Sequence, residues 1–524
     1  MRSPTLAVGP LCLALLSGCS FFEEFFETDP DAPPSDRTER PDPTETDPPT
    51  DPVPTVTGST GATGDTGDSL STTPPDAFAL PDDIALAKVS VYQGVERPLW
   101  IDGAPAGGDV PVISDREALI RVFVEPDEGF VVRDLRVSLV VESPTGPVIR
   151  ARTRRVTGPS IDAARNSTFE FTVPAAELSG PAELQVALTE ADEALPGSGS
   201  PDRTTFDSAL DLPGGLPIEA GRDIDIVVVP FRYQADESGR EPDLSQPRLD
   251  DLRATLEAIW PVRNVNLTVA PAIDWDLAIL RNGDGFGEAL EEIEALRQNA
   301  AVPSSTYYYG MFDPADSFGS FCQGSCVTGL SYVPEATSAP QYRSSVGIGF
   351  TNSGTITSDT MAHEVGHALG RSHSPCGNPD GVDGSFPYAD GSIGAWGYDR
   401  EADALFDPAN RFDMMSYCNP VWISDHNFDA IYERIRALST SPFAPSRMVT
   451  ALRVDGDDHV KSLGEARVFG SAAGMGARVV VELIDAEGQA RGFRDGWRVR
   501  LSHLPGGVVL LDEALPTGWS ARIP

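Results

Sequence analysis

The chain has 524 residues, 40 % of them hydrophobic, and a formal net charge of −40. That length allows about two to four domains with ordinary buried cores. The charge disfavours nucleic acid as a partner, because one polyanion repels another, and it suits a protein that stays soluble outside the cell.

In chain order, Arg2 precedes a short apolar run, Leu6 to Leu16, well below the ~20 residues that span a bilayer. Residues 1–18 therefore read as a signal peptide. Its end, Leu16-Ser17-Gly18-Cys19, resembles the lipobox of bacterial lipoproteins, in which the chain is cut before the Cys and the thiol is lipidated. The resemblance implies a membrane attachment through Cys19, since each buried CH₂ of an acyl chain contributes ~0.8 kcal/mol. Ser20, in place of Asp, implies the outer membrane of a cell envelope, with the face left open. Residues 19–82 are rich in Asp, Pro, Thr, Ser and Gly. Such a segment cannot bury enough surface to offset its ordering entropy and is expected to be a disordered acidic linker.

Residues 83–220 show period-two runs, such as Ala118 to Val124, Leu135 to Val141, Thr168 to Val173 and Glu183 to Leu188. They point to a β-sandwich-like domain, a spacer or prodomain-like module. Residues 221–443 alternate strands with helices. Strands are expected at Asp223 to Phe231, Val265 to Val269, Thr306 to Phe312 and Val346 to Phe350. Helices are expected at Gln246 to Ile259, Gly287 to Arg297, Asp359 to Leu369 and Asp425 to Leu438. Residues 444–524 are again β-like and read as a small second sandwich. The fold class is thus multidomain, an α/β (α+β) catalytic domain flanked by β-sandwich-like modules.

Of the six cysteines, Cys12 leaves with the signal peptide and Cys19 is the anchor. Cys322, Cys326, Cys376 and Cys418 remain, and an even number in an exported chain reads as two disulfides. Sequence does not choose among the three pairings; Cys322–Cys326 with Cys376–Cys418 is favoured.

Chemistry concentrates in His363-Glu364-Val365-Gly366-His367-Ala368-Leu369-Gly370-Arg371-Ser372-His373. On a helix, His363 and His367 leave one face and meet one ion. Gly370 suits a helix end in the left-handed conformation, and the turn it permits returns His373 as a third ligand. Three histidines leave a coordination position open, as in catalytic zinc sites. Glu364, beside the first ligand, is the candidate general base. At this composition the pattern is expected by chance about 5 × 10⁻⁶ times per chain.

The motif resembles that of the metzincin zinc endopeptidases. A second family mark, a methionine turn, matches Asp413-Met414-Met415-Ser416-Tyr417-Cys418, with Met415 as the family methionine. The resemblance implies one catalytic zinc on His363, His367 and His373, Glu364 as base, and Tyr417 as a group at the zinc or the developing oxyanion. It also implies a substrate strand laid along a sheet edge upstream of the zinc helix, for which Ser345 to Phe350 is the candidate. Ser374 after the third His resembles the matrixin pattern. Ser374 to Gly377, Ile393 to Asp399 and Trp422 to Asp425 are similar to secreted mucin-cleaving bacterial metzincins (StcE-like). Pro375 to Asp380 resembles the matrixin cysteine switch but follows the third His instead of preceding the catalytic domain, and reads as coincidence. No cysteine lies between Ser20 and Phe321, so an N-terminal thiol switch is excluded and latency needs another device.

Calcium is a further cofactor candidate, at Asp380, Asp383, Asp390 and the Asp455 to Asp458 turn, none with EF-hand spacing. His426, His459 and His503 lie outside the motif and are expected to be structural or on the surface. The expected function is a monomeric, envelope-anchored zinc endopeptidase acting on extracellular proteins or glycoproteins. The alternative is a non-catalytic surface lipoprotein that binds glycoproteins through its β modules, with a vestigial zinc site. An intact Glu364 argues against it, because zinc binding alone does not need that carboxylate.

Overall fold

The computed structural model describes residues 66–71, 73–440 and 446–524. The expected signal peptide, Cys19 and the expected linker up to residue 65 lie outside the described residues. The last part of the expected linker is ordered. Thr66–Leu70 is a strand antiparallel to Gly146–Val156, and the Ser71 N–H continues the ladder to the Ile149 carbonyl at 2.9 Å. Backbone pairing at a sheet edge needs no apolar side chains, so composition did not reveal it.

The N-terminal module is a sandwich of two five-stranded sheets. Alternate residues of Arg133–Ser143 (Leu135, Val137, Leu139 and Val141) are buried in the core between them. The module is docked on the rest of the chain. The buried Arg116 guanidinium donates to the carbonyls of Glu257, Ala258 and Val262 at 2.8, 3.2 and 2.8 Å, and also to that of Trp260. Glu257 and Ala258 carry orphan carbonyls of the last turn of the helix Gln246–Ile259, and Trp260 and Val262 follow directly after it, a place where a cation is favourable.

The central unit is built on β1 (Ile224–Tyr233), β2 (Val265–Val269), β3 (Tyr307–Phe312), β4 (Gly329–Val333) and β5 (Ser344–Ile348). They run in the order β2-β1-β3-β5-β4, and only β4 is antiparallel to its neighbour. The helices are α1 (Gln246–Ile259), α2 (Phe286–Asn299), α3 (Ile356–Ala368) and α4 (Asp425–Thr440). The two faces of β1 separate the cores. Ile224, Ile226 and Val228 pack with α1, α3 and α4, whereas Val229, Phe231 and Tyr233 pack with α2. Period two on a strand produces this division. The helix α1 follows from Leu249, Leu252, Leu256 and Ile259, all buried on one stripe.

Two expectations change. The candidate substrate strand is not at an edge: β5 lies between β3 and β4, and the edge of the unit is β4. Nor do the C-terminal strands make a separate sandwich. They are β6 (Ser446–Val454), β7 (Val460–Phe469), β8 (Ala477–Ile484), β9 (Ala490–Leu501), β10 (Gly507–Leu511) and β11 (Ser520–Arg522). β9 pairs antiparallel with β4, through Tyr332 with Leu501 and Val333 with Arg500, so one sheet runs through both units. One face of β6, β9 and β10 (Val449, Ala451, Val499, Val508 and Leu510) shares a core with α2 and β4, while Leu452, Val454, Val509 and Leu511 on the other face pack with Val481 and Leu483 of β8. Among the described residues no helix is long and apolar enough to cross a membrane.

A buried acid lies in that shared core. Glu294 of α2 accepts a 2.8 Å hydrogen bond from the Tyr332 hydroxyl on β4, and burial raises its pKa from 4.5 to about 7. The unfolded chain releases this proton near its ordinary pKa, the folded chain only near 7. Stability is therefore highest below the unfolded value and falls as pH rises to about 7. Glu294→Gln should abolish this decline. In urea unfolding between pH 4.5 and 8 the native chain is expected to lose roughly 2–3 kcal/mol more than the variant. Equal losses would show that Glu294 is already ionised in the fold.

Candidate metal centre

The helix α3 carries His363 and His367 on one face. It closes with the Gly370 N–H on the His367 carbonyl at 2.7 Å and the Arg371 N–H on the Gly366 carbonyl at 3.0 Å, a Schellman motif. Gly370 has φ +87°, a conformation that costs little only for glycine. The reversal returns His373 toward the helix. Gly366 permits a second close approach: a Cβ there would stand 2.7 Å from the Met415 sulfur.

Each of the three rings donates Nδ1–H to a backbone carbonyl. The acceptors are Met414 for His363 (2.7 Å), Arg371 for His367 (2.7 Å) and Asp380 for His373 (2.5 Å). These bonds fix the tautomer and leave three Nε2 lone pairs facing one point. Nε2 of His367 lies 3.0 Å from that of His363 and 3.1 Å from that of His373. Lone pairs at that separation repel unless a cation lies between them. Nitrogens about 2.0 Å from a tetrahedral zinc would stand about 3.3 Å apart, so the donor set fits such an ion. Burial lowers the pKa of His363 and His367, and it drives that of His373 down to about 2, helped by the neighbouring imidazoles. The rings are thus held neutral, the form a metal takes.

Met415 is fully buried beneath the helix, in a turn organised by Asp413. The buried Asp413 carboxylate accepts from the Ser374 hydroxyl at 2.5 Å and the Met415 N–H at 2.8 Å. It also accepts from the Asn427 amide at 2.7 Å and the Ser424 N–H at 2.9 Å. Cys376–Cys418 is bridged, tying the loop after His373 to this turn, and Cys322–Cys326 is bridged as well. The Tyr417 ring centroid lies 5.0 Å from that of His373.

Glu364 is only 1 % exposed. Its Oε1 accepts from His503 Nε2 at 2.7 Å and its Oε2 from the Ser502 hydroxyl at 3.2 Å. The other His503 nitrogen, Nδ1, is 2.6 Å from the Tyr417 hydroxyl. The expectation that His503 is structural or on the surface is therefore corrected: a nitrogen of His503 joins those of His363, His367 and His373 within one 4.8 Å cluster. No local motif marks it, because the turn after β9 reaches the site only through the pairing with β4. Ser502 was missed for the same reason, its partner Glu364 being distant in sequence, and Asp413 because its bond to Ser374 spans 39 residues.

Calcium finds no support. Asp383 is paired with Arg371 at 3.0 Å and bonded to Ser385, and Asp380 gives its carbonyl to His373. Asp390 and Asp455 accept from neighbouring backbone N–H groups in their own turns.

Among known protein families, the model for Peptidase M66 matches residues 326–420. No curated protein matches the chain. The matched segment holds His363, Glu364, His367, His373, Met415 and Tyr417, and it supports a metallopeptidase function in general.

Asp413→Ala would leave the Ser374 hydroxyl, the Asn427 amide and the N–H groups of Met415 and Ser424 without their acceptor. Urea unfolding is expected to show a loss of roughly 3 kcal/mol, and metal analysis after dialysis should show the ion lost from the folded fraction. Full metal retention would mean that the turn holds without its carboxylate.

Proposed function

We propose that this chain is a zinc endopeptidase of metzincin type, anchored to the cell envelope through Cys19 and cutting extracellular proteins, glycoproteins among them. The observation that carries the reading is the convergence of three neutral imidazole Nε2 atoms beside the carboxylate of Glu364.

His363, His367 and His373 would hold the ion. When bound, zinc supplies Lewis-acid polarisation of water and of the scissile carbonyl. Glu364 takes a proton from the attacking water and delivers it to the leaving amine, which needs a carboxylate within hydrogen-bond reach of both. The Tyr417 hydroxyl, whose ring lies 5.0 Å from that of His373, donates to the oxygen on which negative charge develops. The strand β4, with Gly329 against Glu364 (a Cβ there would lie 2.4 Å from its Cγ), is the edge along which an extended peptide would pair. The glycoprotein part of the proposal rests on the resemblance to mucin-cleaving metzincins, and the anchor on the lipobox.

Incubating the zinc-loaded protein with plain and O-glycosylated substrates, and mapping new N-termini by mass spectrometry, tests the reading. Cuts are expected that vanish in Glu364→Gln, a loss of at least about 10³-fold. Equal cutting by the variant would sink Glu364 as the base, and cuts on plain substrates alone would remove the glycoprotein preference. Cys19→Ala should release the protein from the membrane fraction; retention there would overturn the anchor.

A further inference from the structure

The general base of this site is engaged on both oxygens by the C-terminal unit. His503 Nε2 donates to Oε1 and the Ser502 hydroxyl donates to Oε2 of Glu364. Each carboxylate oxygen is thus engaged by a protein donor, and the side chain is only 1 % exposed. His503 also takes the Tyr417 hydroxyl, so the base and the oxyanion candidate are bridged by one ring.

The backbone tells the same story. The Ser502 N–H donates to the Ser331 carbonyl at 2.9 Å, and the Ser331 N–H donates back to the Ser502 hydroxyl at 2.9 Å. With Leu501 against Tyr332 and Arg500 against Val333, the segment runs antiparallel along β4. This is strand addition to the sheet edge beside Glu364, performed by a segment of the same chain. Arg500 fastens it further, donating to the Ser372 hydroxyl at 2.5 Å in the turn that delivers His373.

We propose that Arg500–His503 is an intramolecular, substrate-like occupant of the cleft, and that the C-terminal unit holds the peptidase latent until this segment is displaced. The proposal rests on the peptidase reading of the site. The apparent affinity of any peptide for the cleft is its intrinsic affinity multiplied by the fraction of molecules in which the segment is withdrawn. Latency of this kind requires no thiol and no N-terminal prodomain.

The test uses the whole zinc-loaded chain and a tripeptide hydroxamate, whose binding is measured by calorimetry without any turnover. His503→Ala and, separately, Ser502→Ala are expected to tighten hydroxamate binding by about tenfold, the scale of one charge-assisted hydrogen bond, with unchanged circular dichroism and zinc content. A Val333→Cys, Arg500→Cys pair, cross-linked, should weaken it by at least as much. Equal or weaker binding by a folded His503→Ala protein would overturn the proposal and make His503 a supporting member of the active site. Cleavage assays on the same variants keep the two readings apart. Tighter hydroxamate binding without cutting by any variant would leave the occupant standing and remove the peptidase.

Discussion

Three imidazole lone pairs aimed at one point repel one another, and the surrounding structure is arranged to hold them there. Each ring is gripped from behind by a different carbonyl, those of Met414, Arg371 and Asp380. Holding three carbonyls in register means fixing the helix end, the return loop and the methionine turn together. The Schellman closure fixes the first. The Cys376–Cys418 bridge and the Ser374–Asp413 bond join the second to the third. The missing side chain at Gly366 lets helix and turn come close enough for all of this to happen.

The sheet supplies the other half of the geometry. Its buried strands place α3 over one face, and the antiparallel β4 runs past Glu364 at the rim. Because β4 also pairs with β9, the site is composite: helix and turn come from the central unit, while Ser502 and His503 come from the C-terminal one. The shared core around Tyr332, Glu294, Val499 and Leu510 makes the joint an interior.

What was legible in the sequence follows the range of the interactions. The zinc motif is local: two ligands four residues apart on a helix and a third after a glycine turn are set by helix geometry alone. The helix Gln246–Ile259 was readable to its bounds because one stripe of leucines and an isoleucine specifies it. The edge strand was misassigned to Ser345–Phe350, since two neighbouring buried strands read alike and only long-range pairing decides which is outermost. His503 was unreadable for the same reason: 130 residues separate it from His373 (503 − 373). The strand at Thr66–Leu70 escaped notice because backbone pairing, not side-chain burial, orders it.

The cover over β4 has a bearing on crowding. An outermost strand with open N–H and C=O groups is a template for any other chain in extended form, including a second copy of the same protein. With Arg500–Ser502 in place, the stretch Ser331–Val333 is already paired. Neighbouring copies therefore meet without that template between them, and the pairing along β4 also keeps them from stitching together.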